Sequence, residues 1–165
     1  MIRLLRPHGP LIAAAALLLP AAGSAQGVVS QKNLSLGLAK TIAEATLGAC
    51  KSKGFSTSVA VVDRAGQLMV LLRDEGASAQ TAEMSRRKAY TARMFRTSTL
   101  EFQKRTTEPG FAAQRDVSDI LALGGGVPIQ IGTEVIGGVG SSGANQEGDD
   151  ACAKAGVAAV AEQLK

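Results

Sequence analysis

Apolar residues recur at helical and strand spacing along most of the chain, and the two periods alternate. Leu34, Leu38, Ile42, Ala45 and Ala49 fall three to four residues apart, which predicts a helix over 33–53 with Asn33 as N-cap and Gly54 just past its end. Ser56–Val62 is β-branched and apolar, Arg64–Gln67 reads as a turn, and Leu68–Arg73 reads as the returning strand. The apolar run of that second strand is nearly unbroken, so both of its faces should be covered, one of them by another subunit. Gln80–Phe95 has helical spacing with small packing residues at Ala82, Ala89 and Ala92, and a short helix over Thr99–Arg105 follows, capped by Ser98 or Thr97. Glu108-Pro-Gly ends that helix. Residues 109–123 form a lid or a short helix. A hairpin over Val127–Ile131 and Glu134–Val139 turns on Gly132-Thr133, Gly140–Gly143 makes a loop, and Asn145–Leu164 closes the chain as a helix.

The resulting order, α-β-β-α-α-β-β-α, is an α+β domain. Hairpins make antiparallel sheets, and amphipathic helices must cover one or both faces. Upstream, Arg3 and Arg6, the apolar run Leu11–Leu19 and the small residues Gly23-Ser24-Ala25 match a secretory signal peptide over 1–25. Nine apolar residues are far short of the roughly 20 that span a bilayer. Residues 26–32 read as a leader and 33–165 as one domain, exported to the periplasm or secreted, with no membrane insertion after cleavage.

Cleavage changes the chemistry available. The 18 basic residues less Arg3 and Arg6 leave 16 against 14 acidic ones, a net charge of +2 in place of +4. With that balance, no Trp and one Tyr, there is no case for nucleic-acid binding. The single histidine, His8, leaves as well, which excludes His-dependent catalysis and a proximal-His haem. Cys50 and Cys152 remain, near the end of the first helix and the start of the last. In an exported chain they either bridge, if those helices pack antiparallel, or stay as two buried thiols.

Several segments together resemble the GlcG/HbpS family (the DUF336-like, haem-binding and haem-degrading domains). They are Val61-Val-Asp63 with Gly66 and Leu68, Arg73 with Gly76-Ala77, Arg87-Lys88-Ala89 with Thr91-Ala92, Gly125–Ile129, Val139–Gly143, and Asp149 with Ala155-Gly156. The resemblance covers about residues 33–162. It departs at Asp74-Glu75, which carries an extra acid. It implies an α+β sandwich that assembles into a symmetric homo-oligomer, often an octamer, and binding of haem or a related tetrapyrrole by some members. For exported members it also implies haem sensing with a partner sensor protein. Axial ligation varies across the family, so no axial ligand is carried over.

The candidate chemistry lies on one helix and its neighbours. Arg86, Arg87, Lys88 and Arg93 could hold carboxylates such as haem propionates, or could form a solvated face with Glu83 as partner to Arg87. Ser141 and Ser142 in a glycine-rich loop before a helix could cradle an anion, or simply turn the chain. With the positions singled out by the resemblance, the candidate ligand set is Arg73, Arg87, Lys88, Thr91, Ser141 and Ser142. Asp63 and Lys88 are the candidates for acid/base chemistry, with turn capping as the alternative for Asp63. Acids Asp149 and Asp150 match the dipole of the last helix. Tyr90 is the candidate haem-iron ligand, ahead of Met69, Met84 and Met94. The expected function is an exported haem-binding protein, sensing or degrading haem. The alternatives are a small enzyme acting on a hydroxy- or keto-acid and a non-catalytic sensory or structural oligomer.

Overall fold

The two faces of the sheet are built from residues of different size, and that difference sets the whole arrangement. The computed structural model describes residues 27–165, and Gln31–Lys165 pack as one unit. The signal-peptide reading over 1–25 lies outside the described residues. The elements are α1 (Leu36–Lys51), β1 (Ser58–Val62), β2 (Leu68–Arg73), α2 (Gln80–Phe95), α3 (Thr99–Arg105), β3 (Gly126–Ile131), β4 (Glu134–Ser142) and α4 (Gln146–Ala158). Short 3-10 turns cover Pro109–Asp116 and Ala161–Leu164. The four strands form one antiparallel sheet in the order β2-β1-β4-β3.

On one face, Val59, Val61, Val127, Ile129 and Val139 meet Ala39, Ile42 and Ala43 of α1 and Ala153 of α4 in the aliphatic core. Cys50 at the end of α1 and Cys152 on α4 are joined by a disulfide, with Cα atoms 5.3 Å apart. On the other face, under α2, the strands carry small residues at Ala60, Gly126, Gly138 and Gly140. There α2 lies almost on bare backbone. A Cβ at Gly140 would run into the Ser85 carbonyl, one at Gly138 into that of Ala89, and one at Gly126 into that of Lys88. Close packing is therefore the reason for those glycines.

Several boundaries differ from the sequence expectation. Ser35, not Asn33, caps α1, its hydroxyl accepting from Leu38 N–H. Asn33 Oδ1 instead accepts from the backbone N–H groups of Leu34 and Arg64, latching the chain to the β1–β2 turn. β1 begins at Ser58 rather than Ser56. β2 is an edge strand with Leu68 and Leu71 exposed, so its apolar run is not covered on both faces within this chain. β4 runs on to Ser142 because Ser141 and Ser142 pair with Val59 and Ser58, so the expected serine loop is strand. The last helix stops at Ala158, and Val160 is buried before the closing 3-10 turn. Residues 109–116 form an exposed 3-10 turn.

The packing gives a paired prediction. Gly140→Ala should destabilise by about 3 kcal/mol through overpacking against α2. Gly48→Ala, in α1 with open space around it, should stabilise by up to about 1 kcal/mol. Urea unfolding of the two variants reads both signs, and equal effects would contradict the packing.

Candidate functional site

At one end of the β1–β4 pair the loops before β1 and α2 stand apart from the N-terminus of α4, leaving a cleft of about 560 Å³. Phe55, Met84 and Leu123 supply its apolar wall. Ser56, Ser78, Gln80, Thr81, Ser142 and Gln146 supply hydroxyl and amide groups, and Lys88 and Asp149 reach it from below. Local bonds shape it. Ser58 Oγ and Thr81 Oγ1 share a hydrogen bond of 2.7 Å that ties the start of α2 to β1. Gln146 Oε1 accepts from the Gly124 N–H at 2.9 Å and holds the loop before β3 against α4.

Lys88 is almost wholly buried, with 1% of its surface exposed. Its Nζ donates to Asp149 Oδ2 and to the Ser141 carbonyl, each at 2.9 Å. The pair thus links α2, on one side of the sheet, to α4 on the other. Asp149 Oδ1 accepts from the Ser141 hydroxyl at 3.2 Å and from the Ala144 N–H at 3.1 Å. Gly125, at φ +122, gives the pair its room: a Cβ there would lie 2.7 Å from Asp149 Cβ and 3.0 Å from Lys88 Nζ. Burial pushes the Lys88 pKa down, and Asp149 opposes that shift through charge and hydrogen bonding.

Asp149 therefore does more than match the dipole of α4. Sequence reasoning missed its role, because nothing local distinguishes a dipole-matching acid from one that meets a lysine 61 residues away. The one available signal was a lysine among alanines and threonines on the helix face that packs.

The other candidates are spread more widely than expected. Ser142 lines the cleft, whereas Ser141 is fully buried behind it, with its hydroxyl also 3.4 Å from Cys50 Sγ. Arg87 is not in the cleft; it donates to the Ile120 carbonyl at 2.6 Å. Thr91 accepts from the Leu121 N–H at 2.9 Å, and Arg86 pairs with Glu83 and Asp119. Together these residues fasten segment 119–121 to α2, and Glu83 serves Arg86 rather than Arg87. Arg73 donates to the Ala77 carbonyl beside the rim.

Asp63 caps its turn, Oδ1 accepting from Ala65 and Gln67 N–H at 2.8 and 2.9 Å. It sits at the end of β1 away from the cleft, about 15 Å of strand from Ser58, so it is not brought together with Lys88. Tyr90 packs against Gly66 in the same turn and does not line the cleft. Met84 is the sulfur that does. Among the described residues there is no His/Cys/Asp/Glu cluster of metal-binding form, and no helix is long and apolar enough to cross a membrane.

This sequence and fold have known counterparts. A family model described as "Haem degrading protein HbpS-like" matches residues 34–158. The GlcG protein of Escherichia coli is 32% identical over 109 residues, covering 66% of this chain and 81% of that protein. The crystal structure of a double mutant of Streptomyces reticuli HbpS is 33% identical, with a TM-score of 0.79 over 86% of this chain and 97% of that one. A structure of a PduOC haem complex is 26% identical, with a TM-score of 0.69 over 76% of this chain and 94% of that one.

The buried pair has a testable signature. Lys88→Met should cost about 3–5 kcal/mol by leaving Asp149 charged and unpaired, and Lys88→Met/Asp149→Leu should recover much of that loss. The pH dependence has a definite sign. The folded-state pKa of Lys88 lies below the unfolded value of 10.5, so the folded protein loses this proton first. The burden of the buried charge is full below the folded pKa and eases as pH rises from there toward 10.5. Urea midpoints of the wild type should therefore climb relative to the double variant across that alkaline window; a fall would mean a raised pKa.

Proposed function

This chain belongs to the HbpS-like family, and we propose that it binds haem, or a chemically similar anionic tetrapyrrole, in the cleft walled by Phe55, Met84 and Leu123. The observation that supports this most is the cleft itself: about 560 Å³, with an apolar wall and a rim of hydroxyl and amide donors. That volume lies in the range of a cofactor site. The residues present fit the group in this way. The apolar wall would take the macrocycle, and Ser56, Ser78, Ser142 and Gln146 would meet the propionate edge.

The expected cationic clamp is replaced. Lys88 is already neutralised by Asp149, and Arg87 is committed to a carbonyl on another side of α2. Anion recognition in the cleft therefore rests on neutral donors, with Lys88 setting a positive floor only to the extent that Asp149 leaves it. Met84 is the one lining side chain with a soft donor for iron; bound haem would supply the redox-active metal. The acid/base alternative, in which Asp63 or Lys88 moves the proton, is weakened because Asp63 is tied into its turn away from the cleft and Lys88 is buried against Asp149.

The same reading includes export and assembly. The Cys50–Cys152 bridge suits an oxidising compartment, in line with the leader pattern over 1–25. The exposed edge strand with Leu68 and Leu71, and Phe111 and Val117 on the exposed 109–119 segment, supply apolar surface for a homo-oligomer.

Titrating haem into the purified protein should give a saturable, shifted Soret band. Met84→Ala should weaken binding at least about tenfold, a loss of about 1.4 kcal/mol, while Tyr90→Phe should leave the spectrum unchanged. A spectrum like that of free haem, or one lost in Tyr90→Phe and kept in Met84→Ala, would overturn the assignment.

A further inference from the structure

The opposite end of the β1–β2 hairpin carries a second cleft, of about 440 Å³, lined by Gln31, Asn33, Arg64, Ala65 and Arg93. Arg93 stands in the last turn of α2, its Cβ against Gly138. Every other arginine on α2 has a partner. Arg86 holds Glu83 and Asp119, and Arg87 holds the Ile120 carbonyl. Arg93 forms no hydrogen bond or ion pair with the described residues, and its Nε is buried without an acceptor.

An unanswered buried donor on a charged group costs free energy, and native folds rarely leave one without a reason. The surroundings make the vacancy more acute. Burial holds the Arg93 pKa below the ordinary arginine value, and repulsion from the guanidinium groups of Arg64 and Arg96 adds to that. Two acids stand near. Asp63 attracts Arg93, but its Oδ1 is taken by the turn N–H groups. Glu134 is paired with Arg64 at 2.9 Å. Glu134 is thus committed to Arg64, and Asp63 has one oxygen, Oδ1, tied into its turn. Asn33 turns its Oδ1 to backbone N–H groups, which leaves its amide N–H₂ as a further donor at the cleft.

We infer that this second cleft is an oxyanion site, taking the carboxylate or phosphate group of a small organic anion on Arg93, beside Arg64, whose Nη1 is already held by Glu134 and the Lys32 carbonyl. The planar fork of arginine matches both groups. The volume leaves room for a small molecule behind the charged group. The site is separate from the haem cleft, lying at the other end of β1, and it does not depend on the haem reading.

Isothermal titration of the full mature protein with inorganic phosphate and with malonate, at constant ionic strength against chloride, tests it and tells the two chemistries apart. Saturable binding of either anion, weakened at least about tenfold in Arg93→Gln and in part retained in Arg93→Lys, is the expected result. Without added anion, Arg93→Gln should melt no lower than the wild type, because it removes an unpartnered charge, and its haem spectrum should be unchanged. Binding by neither anion, equal binding by Arg93→Gln, or a change of oligomeric mass in that variant (which would place a second copy of the chain against the guanidinium) would each overturn the site.

Discussion

The close approach of α2 to a sheet stripped of side chains is the constraint on which the rest depends. Because Gly126, Gly138 and Gly140 offer only backbone, the carbonyls of Ser85, Lys88 and Ala89 sit directly over the strands. From that depth the Lys88 side chain reaches past the start of β3 to Asp149 on α4. A normal helix-on-sheet spacing would leave the ammonium short of its partner, and an uncompensated charge would then sit in the interior. The helix–strand contact and the buried pair are therefore one feature, and the cleft above Lys88 inherits its floor from both.

The opposite layer is held differently. The aliphatic face packs under α1 and α4, and the Cys50–Cys152 bridge pins those helices together just behind Ser141. Ser141 is the meeting point: its carbonyl accepts from Lys88, its hydroxyl donates to Asp149, and its N–H donates to the Gly125 carbonyl. Disulfide, ion pair and strand end converge there, which fixes the wall carrying Ser142 while the loops before β1 and α2 stay open to solvent. A hydrogen-bonded floor with a more exposed rim suits the large flat guest proposed for this site.

Much of this architecture was legible in the chain. Both hairpins, the bounds of β2, α2 and α3, and the Ser98 cap follow from periodicity and capping chemistry, and the family follows from short motifs in order. The errors around the site come from long-range pairing. Ser141 and Ser142 look like a loop until Val59 and Ser58 extend the strand. Asn33 looks like a cap until the β1–β2 turn claims its oxygen. The basic run on α2 looks like a ligand-binding face, yet Arg86, Arg87 and Thr91 spend themselves on segment 119–121, whose carbonyl, N–H and carboxylate no local pattern announces. Lys88 and Arg93, from that same run, end in quite different settings, one paired in the interior and one unanswered at a second cleft.

The central claim is that the guest lies over Lys88, against Phe55, Met84 and Leu123. Paramagnetic broadening of backbone amide signals during titration with ferric haem tests it most directly. The account predicts that signals from residues 55–56, 81–84, 123 and 142–146 broaden first, while those of Gly66, Tyr90 and Arg93 persist. Broadening centred on the β1–β2 turn, with the cleft residues unaffected, would contradict it.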